Sequence, residues 1–554
     1  MIVLGITFRP TDPAASLIVD GKIIAAIAEE RFNRIKKGNR EFPKSSIKFC
    51  LDKAGIKTSD VDYVVGSFNY EKTADYFHNS YYITKSYRGT PGFDGMKWQS
   101  VYHLKDEEMR RQVKKFFGDD VKFNYVDHHL AHAASAYHGS GFDKANIITM
   151  DGRGELNSGA MFIGNNEIEK VNETMLPNSL GILWQGVTRL LNWKSNEDEG
   201  KVMGLAPYGN DKFYDIFKKN IELTEDSYKI HLKFQTFYNE ALESIFKMRT
   251  NEHPINDYYE HIAWALQKRT EDVMNHLVDV MKEKTGYKKY CFAGGVALNC
   301  SMNGTINQRE DVEELFVQPA SSDDGASLGA AQYKYFLETG KKSEPMKHAL
   351  LGKEYSDEEI EYELKRFKLD YEKTGDIEGS TAEKLNNGKI VSWFQDRCEF
   401  GPRALGARSV LGHPSIKDMK KRINDHVKYR EEWRPFAVSV LDEAKEKYLI
   451  GATSSPFMIL KFDVKEEMRE ILHSGTHIDG TTRPQTVEKE FLPRYYKMIK
   501  AFGKLSGVDA VVNTSFNIKG EPLILRPIEA IRDFYASGAD CLAIGNFLLE
   551  KKKV

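Results

Sequence analysis

Residues 1 to 8 alternate apolar side chains with small or polar ones, the two-residue period of a half-buried strand. The next apolar run, SLIVDGKIIAAI, is split by Asp20-Gly21 and reads as two strands joined by a tight hairpin. Residues 44 to 55 change to a helical period, with Ile47, Cys50, Leu51 and Ala54 on one face. Residues 61 to 68 and 121 to 127 read as further strands, and the latter runs into HHLAHAASAYHGS, which reads as a helix.

The opening pattern then returns. Residues 147 to 151 form a strand ending in an acid and followed by Gly-Arg-Gly, and GAMFIGNNEIEKV reads as strand, turn and strand. A strand, a glycine-bearing turn and a hairpin recurring about 145 residues apart predict a duplicated α/β fold with ligand held between the halves. The segment 341–357 is polar, carries a Pro and reads as a linker. Beyond it, helices at 358–367 and 380–387 and a strand at 389–394 open a second domain. The expected domains are 1–345 and 355–554.

Composition narrows the class. A chain of 554 residues exceeds one hydrophobic core. With 41% hydrophobic and 29% charged residues it reads as folded rather than disordered. A formal net charge of −2 supplies no long-range attraction to nucleic acid or to an anionic membrane. The cysteines are odd in number, scattered and without a CxxC pair, which argues against a disulfide framework and a thiolate metal site. No basic leader and no run of about 18 apolar residues is seen, so a cytoplasmic location is expected.

Candidate chemistry falls into three groups. His128 and His132, at i and i+4 of the predicted helix, share one face and suit two ligands of one ion; on spacing alone they read equally as hydrogen-bonded helix histidines. Asp127 and His129 flank them and His138 follows. Asp323 and Asp324, in a loop opening a small-residue helix, offer a carboxylate; two imidazoles and one carboxylate suit Fe(II) or another divalent ion. Second, EGKVMGLAPYG, FAGGVALNCSMNG and SDDGASLGAA read as glycine-rich loops able to approach a nucleotide, although none matches a known phosphate-binding fingerprint. Third, Arg403, Arg408, Lys428, Arg430, Arg434 and Arg483 lie in Gly/Pro-punctuated segments, where an Arg fork tends to face phosphate; VNTSFNIKGEP adds Asn513, Thr514, Ser515 and Asn517.

DHHLAHAASAY, EGKVMGLAPYG, AGGVALNCSMNG, FGPRALGARS, WRPFA, HIDGTTRPQTV and NTSFNIKGEP together resemble the NodU/CmcH family of O-carbamoyltransferases, in order and over essentially the whole chain. The resemblance implies a duplicated actin-like N-terminal domain and a YrdC-like twisted α/β C-terminal domain. It implies that carbamoyl phosphate and ATP, with Mg²⁺, give carbamoyl-adenylate in the second domain. The carbamoyl group then passes to a small hydroxyl-bearing acceptor, such as a sugar or natural product, beside an iron-type ion in the first. Carried over by motif, His128, His132 and Asp323 are metal ligands. Arg403, Lys428, Arg434 and Arg483 hold carbamoyl phosphate and the ATP phosphates. Gly200, Lys201, Gly204, Gly294, Gly295 and Asn299 line the N-terminal adenylate site, and Asn513 and Ser515 touch nucleotide in the second. The family's usual His after the first strand is replaced by Thr11, which leaves Asp12, His129 or a metal-bound species as base. The Tyr-rich stretch 70–105 is the expected acceptor contact.

A kinase or tRNA-modifying ligase with the same first domain, and a nucleotide-binding protein without turnover, are the competing readings. A HypF-type maturation protein would need extra segments and CxxC pairs that this sequence lacks. Neither nucleic acid nor a membrane is an expected partner, and a homodimer is an open assembly state.

Overall fold

The computed structural model describes residues 1–8, 12–79, 95–233 and 238–551, and every count or absence below refers to those residues. The chain divides into two units. One comprises Met1–Glu29 and Asn39–Met346; the other comprises Glu30–Gly38 and Lys347–Val554.

The first unit is built on two five-stranded sheets. In the first, β1 (Ile2–Thr7), β2 (Ala14–Val19) and β3 (Lys22–Ala28) form an antiparallel meander. Then β4 (Tyr63–Gly66) pairs parallel to β1 and β5 (Phe123–Tyr125) parallel to β4, giving the order β3-β2-β1-β4-β5. Asp20 and Gly21 both have positive φ, 49° and 83°, as a tight hairpin turn matched to strand twist requires. In the second sheet, β6 (Lys144–Met150), β7 (Asn157–Asn165) and β8 (Glu167–Met175) repeat the meander. After a short β9 (Ile221–Leu223) and β10 (Tyr228–Ile230) hairpin, β11 (Lys289–Ala293) and β12 (Glu314–Val317) add in parallel, giving β12-β11-β6-β7-β8. Strand order and direction are therefore the same in both sheets, and the recurrence in the sequence corresponds to them.

Two helices of small residues bring the chemistry together. His128–Ser140 and Asp323–Thr339 are in close contact, and the latter also lies against β1. A Cβ on Gly329 would stand 1.8 Å from the Ala131 carbonyl oxygen, and one on Gly5 of β1 would stand 1.8 Å from that of Ser327. Backbone on both sides leaves no flexible atom to yield. Gly329→Ala is therefore expected to force the helices apart, at a cost of about 1–3 kcal/mol. It should lower the thermal midpoint and also weaken ion retention, because Asp323 and His128 lie at the starts of these two helices. An unchanged melting curve with unchanged metal content would refute this packing.

The second unit carries an eight-stranded sheet. Its strands are β13 (Glu372–Lys373), β14 (Val391–Phe394), β15 (Arg408–Gly412), β16 (Ala437–Leu441), β19 (Pro484–Val487), β20 (Ala510–Ser515), β21 (Cys541–Ile544) and β22 (Phe547–Glu550). A two-residue ladder, β17 (Phe462–Asp463) with β18 (Thr481–Thr482), stands apart. The order is β13-β22-β21-β14-β15-β20-β16-β19, antiparallel except for β21–β14 and β16–β19. Its core joins Phe394, Val410, Val512, Leu542 and Ile544 of the strands to Ile531 and Phe534 of the Pro527–Tyr535 helix. Both units are thus α/β with mixed sheets. All five cysteines are free and buried, and no helix is long and apolar enough to cross a membrane.

Candidate metal centre and cation cluster

His128 opens its helix and His132 follows one turn later, so both imidazoles leave the same face. Their Nε2 atoms are 3.1 Å apart. Asp151, just past β6, places Oδ2 3.2 Å from His128 Nε2 and 3.6 Å from His132 Nε2. Asp323, the first residue of its helix, places Oδ1 at 3.5 and 4.0 Å from the same two nitrogens. One ligand atom from each of the four lies within 4.8 Å of the others.

Each member is held from behind. His128 Nδ1 faces the Ser67 carbonyl at 3.2 Å, which favours the proton on Nδ1 and turns the Nε2 lone pair toward the cluster. Asp151 Oδ1 accepts the backbone N–H groups of Gly152 at 2.7 Å and Gly295 at 3.2 Å, leaving Oδ2 to face the imidazoles. Thr7, at the end of β1, donates to the Asp323 carbonyl at 2.9 Å and pairs with Ser67. Glu155 accepts the His128 N–H at 2.9 Å and so caps the first turn of the histidine helix.

The protonation balance shows what the four groups lack. Burial opposes charge on His128, yet the hydrogen bond it donates to Asp151 and the charges of Asp323 and Asp151 outweigh it and raise its pKa to about 9. Burial, and then the charge of Asp151, pushes the Asp323 carboxyl well above the usual range. Burial resists ionisation of Asp151, but its two imidazole partners hold it well below that range. Burial and the neighbouring His128 lower His132. Facing imidazole nitrogens and paired carboxylates thus stay together only by sharing protons. A divalent cation removes that need, and two nitrogens with two carboxylate oxygens are a suitable donor set for one. The residues present fit such an ion.

The helix also carries a buried imidazole outside the cluster. His138 packs edge-on against Phe336. Burial, and then Lys342, lowers its pKa to about 3 from 6.5. The folded value lies below the unfolded one, so unfolding takes up a proton between them and stability falls as the pH drops below 6.5. That loss is about 1.4 kcal/mol per pH unit. The urea midpoint of the protein is expected to fall further between pH 6.5 and about 5 than that of His138→Gln; equal losses would refute the assignment.

Of the residues expected from sequence, His128, His132 and Asp323 come together, while Asp324 lies outside the cluster. Asp12 is buried with φ 49°, and its Oδ2 accepts from Ser322 Oγ at 2.6 Å, beside Asp323. His129 turns its Nδ1 to Thr149 Oγ1 at 2.9 Å; burial and the two neighbouring imidazoles hold its pKa well below normal. Gly295 reaches the centre through its N–H on Asp151. Gly294, with φ 91°, passes Met150 so closely that a Cβ would lie 2.3 Å from the carbonyl oxygen. Asn299 is occupied structurally, accepting from the Met302 N–H at 3.0 Å and pairing with Gln267. Thr11 and the middle of the Tyr-rich stretch, 80–94, lie outside the described residues.

The glycine-rich loop expected at EGKVMGLAPYG is instead a helix, Glu199–Leu205, continued by a short 3₁₀ turn. Val202 and Leu205 are buried one turn apart, and that apolar pair outweighs the glycines' preference for irregular backbone. Gly200 and Gly204 therefore sit on a helix, and Lys201 Nζ bonds Asp198 at 3.0 Å. Sequence reasoning missed Asp151 and Glu155 as supports of the centre; the acid closing a strand before Gly-Arg-Gly was the available signal.

In the second unit, Lys428 ends a π-helical turn, Asn424–Lys428, a form frequent at functional sites. Its buried ammonium is fixed by the Ser515 carbonyl at 2.9 Å, Ser515 Oγ at 3.2 Å, and Asn517 carbonyl and Oδ1 at 3.0 and 2.7 Å. Burial, then Arg430 and Arg434, pushes its pKa well below normal. Burial, then Arg434 and Arg483, does the same to Arg430. The charges of Arg430 and Arg434 thus oppose that of Lys428, and those of Arg434 and Arg483 oppose that of Arg430. Arg483 Nε has no hydrogen-bond partner. Arg403 sits in a loop folded around Glu399, whose Oε1 accepts the N–H groups of Leu405, Ala407 and Arg408 at 2.8, 2.8 and 3.0 Å. Arg408, expected to face phosphate, and Asn513, expected to touch nucleotide, both turn inward. Arg408 is fully buried, stacks on Phe394 and donates to the carbonyls of Gln395, Asp396 and Lys353. Asn513 is buried, with Nδ2 among Ala404 O, Ser439 Oγ and Gln485 Oε1.

A family model described as carbamoyltransferase N-terminus matches residues 2–332, and one described as carbamoyltransferase C-terminus matches residues 382–551. The nodulation protein NolNO of Sinorhizobium fredii is 35% identical over 98% of this chain and 79% of its own. The 3'-hydroxymethylcephem-O-carbamoyltransferase of Streptomyces clavuligerus is 26% identical over 76% of this chain and 79% of its own. Among solved structures, T. kodakarensis HypF aligns at TM-score 0.37 with 14% identity over 62% of this chain and 48% of that one, too distant to carry an argument. Matched along both of its units, the chain belongs to the carbamoyltransferase family of the NodU/CmcH type and is a transferase.

Proposed function

We propose that the chain is an ATP-dependent O-carbamoyltransferase of the cytoplasm that works in two stages. The second unit, read as YrdC-like, takes carbamoyl phosphate, ATP and water to carbamoyl-adenylate, phosphate and pyrophosphate. The first unit, read as actin-like because its two sheets share one strand order, transfers the carbamoyl group from the adenylate to a hydroxyl of a sugar or natural product, with AMP leaving as the carbamoyl–phosphate bond breaks. The observation carrying this reading is the separation of two unlike sites: a buried tetrad of imidazoles and carboxylates in one unit, and mutually repelling cations in the other.

Lys428, Arg434, Arg483 and Arg403 bind the phosphate oxygens of both substrates, and the repulsion among the cations is relieved when those anions arrive. Ser515 and Asn517 hold the Lys428 ammonium in place. In the first unit, His128, His132, Asp151 and Asp323 hold Fe(II) or a similar divalent ion, which when bound would polarise the acceptor hydroxyl and lower its pKa. Gly294 and Gly295 line the adenylate beside the tetrad, where the Gly295 N–H is held by Asp151. Asp12 takes the acceptor's proton in place of the histidine absent at Thr11. It is a carboxylate beside Asp323, whereas His129 is tied to Thr149 and too weakly basic.

Incubation with ATP, Mg²⁺ and carbamoyl phosphate, without acceptor, should yield carbamoyl-adenylate by mass spectrometry together with matching pyrophosphate. A folded, metal-loaded sample that makes neither would overturn the two-stage reading.

A further inference from the structure

Three polar side chains meet inside the large sheet of the second unit. Ser439 of β16 stands directly opposite Gln485 of β19, and Asn513 of β20 stands opposite Ala437, two positions along β16 from Ser439. The two-residue period of a strand puts all three on one face, and all three are buried. Ser439 Oγ donates to Gln485 Oε1 at 2.7 Å. Asn513 Nδ2 donates to Ser439 Oγ at 2.9 Å and approaches Gln485 Oε1 at 3.3 Å.

Burying polar groups among strands costs stability that apolar side chains of the same shape would not. Bonds among the strands alone would do no more than fix their register. Here two of the bonds leave the sheet. Gln485 Nε2 donates to the Leu405 carbonyl at 2.8 Å, and Asn513 Nδ2 reaches the Ala404 carbonyl at 3.2 Å. Those carbonyls belong to the loop of Arg403, which Glu399 holds through three backbone N–H groups and Trp393 Nε1 holds at the Gly406 carbonyl at 2.8 Å. Gln485 itself follows Arg483 by two residues, and Asn513 precedes by two the Ser515 that fixes the Lys428 ammonium. One buried amide is therefore bonded toward all three cation-bearing segments. We propose that Gln485 is a positioning residue of the anion site: braced by Ser439 and Asn513, it fixes the Arg403 loop against the strand that follows Arg483 before any anion arrives. The inference rests on the anion-binding half of the function proposed above.

The test uses the full chain and inorganic pyrophosphate as probe, by isothermal titration calorimetry. Gln485→Met keeps the side-chain volume and removes the tie. Misplacing one charge-assisted contact predicts binding about 10-fold weaker. Gln395→Met removes an equally buried amide of the same unit that donates to the Gly545 carbonyl at 2.9 Å, and it should bind as the unaltered protein does even where it melts lower. Because Gln485 acts through the Arg403 loop, Gln485→Met should weaken binding little further in an Arg403→Ala background. Additive losses, or equal weakening in Gln395→Met, would reduce Gln485 to scaffold and overturn the inference. Unchanged affinity in Gln485→Met overturns it too, while leaving the anion site standing. An unaltered protein that binds no pyrophosphate overturns both. Should Gln485→Met not fold, hydrogen exchange of the unaltered protein decides. The N–H groups of Leu405, Ala407 and Arg408 should be as protected without ligand as those of β15, and fast exchange that slows only when pyrophosphate is added overturns the inference.

Discussion

Asp151→Asn is expected to strip the divalent ion from the protein while leaving it folded. The amide keeps an oxygen for the N–H groups of Gly152 and Gly295, so the support from behind survives. The group facing His128 and His132 loses its negative charge and, with it, most of its power as a ligand. Partners that merely orient a ligand are worth about 10–100-fold in metal affinity, so loss of a ligand should cost at least about 100-fold. Elemental analysis should show metal content falling close to zero, with transfer to acceptor lost alongside. Carbamoyl-phosphate-dependent pyrophosphate release should persist, because it belongs to the other unit. Asp324→Asn, adjacent in sequence to Asp323 but outside the tetrad, should retain the ion. An Asp151→Asn protein with a full complement of metal would exclude Asp151 as a ligand.

Asp151 also shows where reading the sequence stops. His128 and His132 are legible because helical period alone places them on one face. Asp323 is legible because a helix start of small residues exposes its carboxylate. Asp151 lies 23 positions from His128, and its place depends on β6 pairing parallel to β11, which brings the Gly295 N–H onto its carboxylate. No local pattern encodes a pairing across that distance. The repeated meander was legible because each copy is a local run of alternating residues joined by a turn of positive φ, as at Asp20-Gly21. EGKVMGL was misread for the converse reason. Its glycines suggest a loop, and the burial of Val202 and Leu205 that makes it a helix is a tertiary fact. The segment after β3 is the extreme case. Nothing in the local pattern assigns Glu30–Gly38 to an element, and only long-range donation by Arg31 and Arg34 places it in the second unit.

The arginines of the second unit divide on the same ground, and the division makes a sharp expectation. Arg403 and Arg408 share one motif, yet Arg408 opens β15, lies opposite Phe394 and satisfies carbonyls inside the unit. Its replacement by Ala would leave those carbonyls and a large void buried, so the result should be a protein that fails to fold. Arg483 is the opposite case. Its Nε has no partner and its Nη2 meets only Met458 sulfur at 3.9 Å, so truncation breaks little that the fold depends on. Yet its charge bears on Arg430 within the cation cluster. Arg483→Ala should therefore keep its melting temperature and its metal and still lose about 100–1,000-fold in carbamoyl-phosphate-dependent pyrophosphate release, the range for removing one preorganised charge-stabilising group. Removing a cation from a group that repels itself should, if anything, raise stability slightly. A variant that both melts lower and turns over normally would place Arg483 in the scaffold with Arg408 and leave the phosphates to Lys428, Arg434 and Arg403.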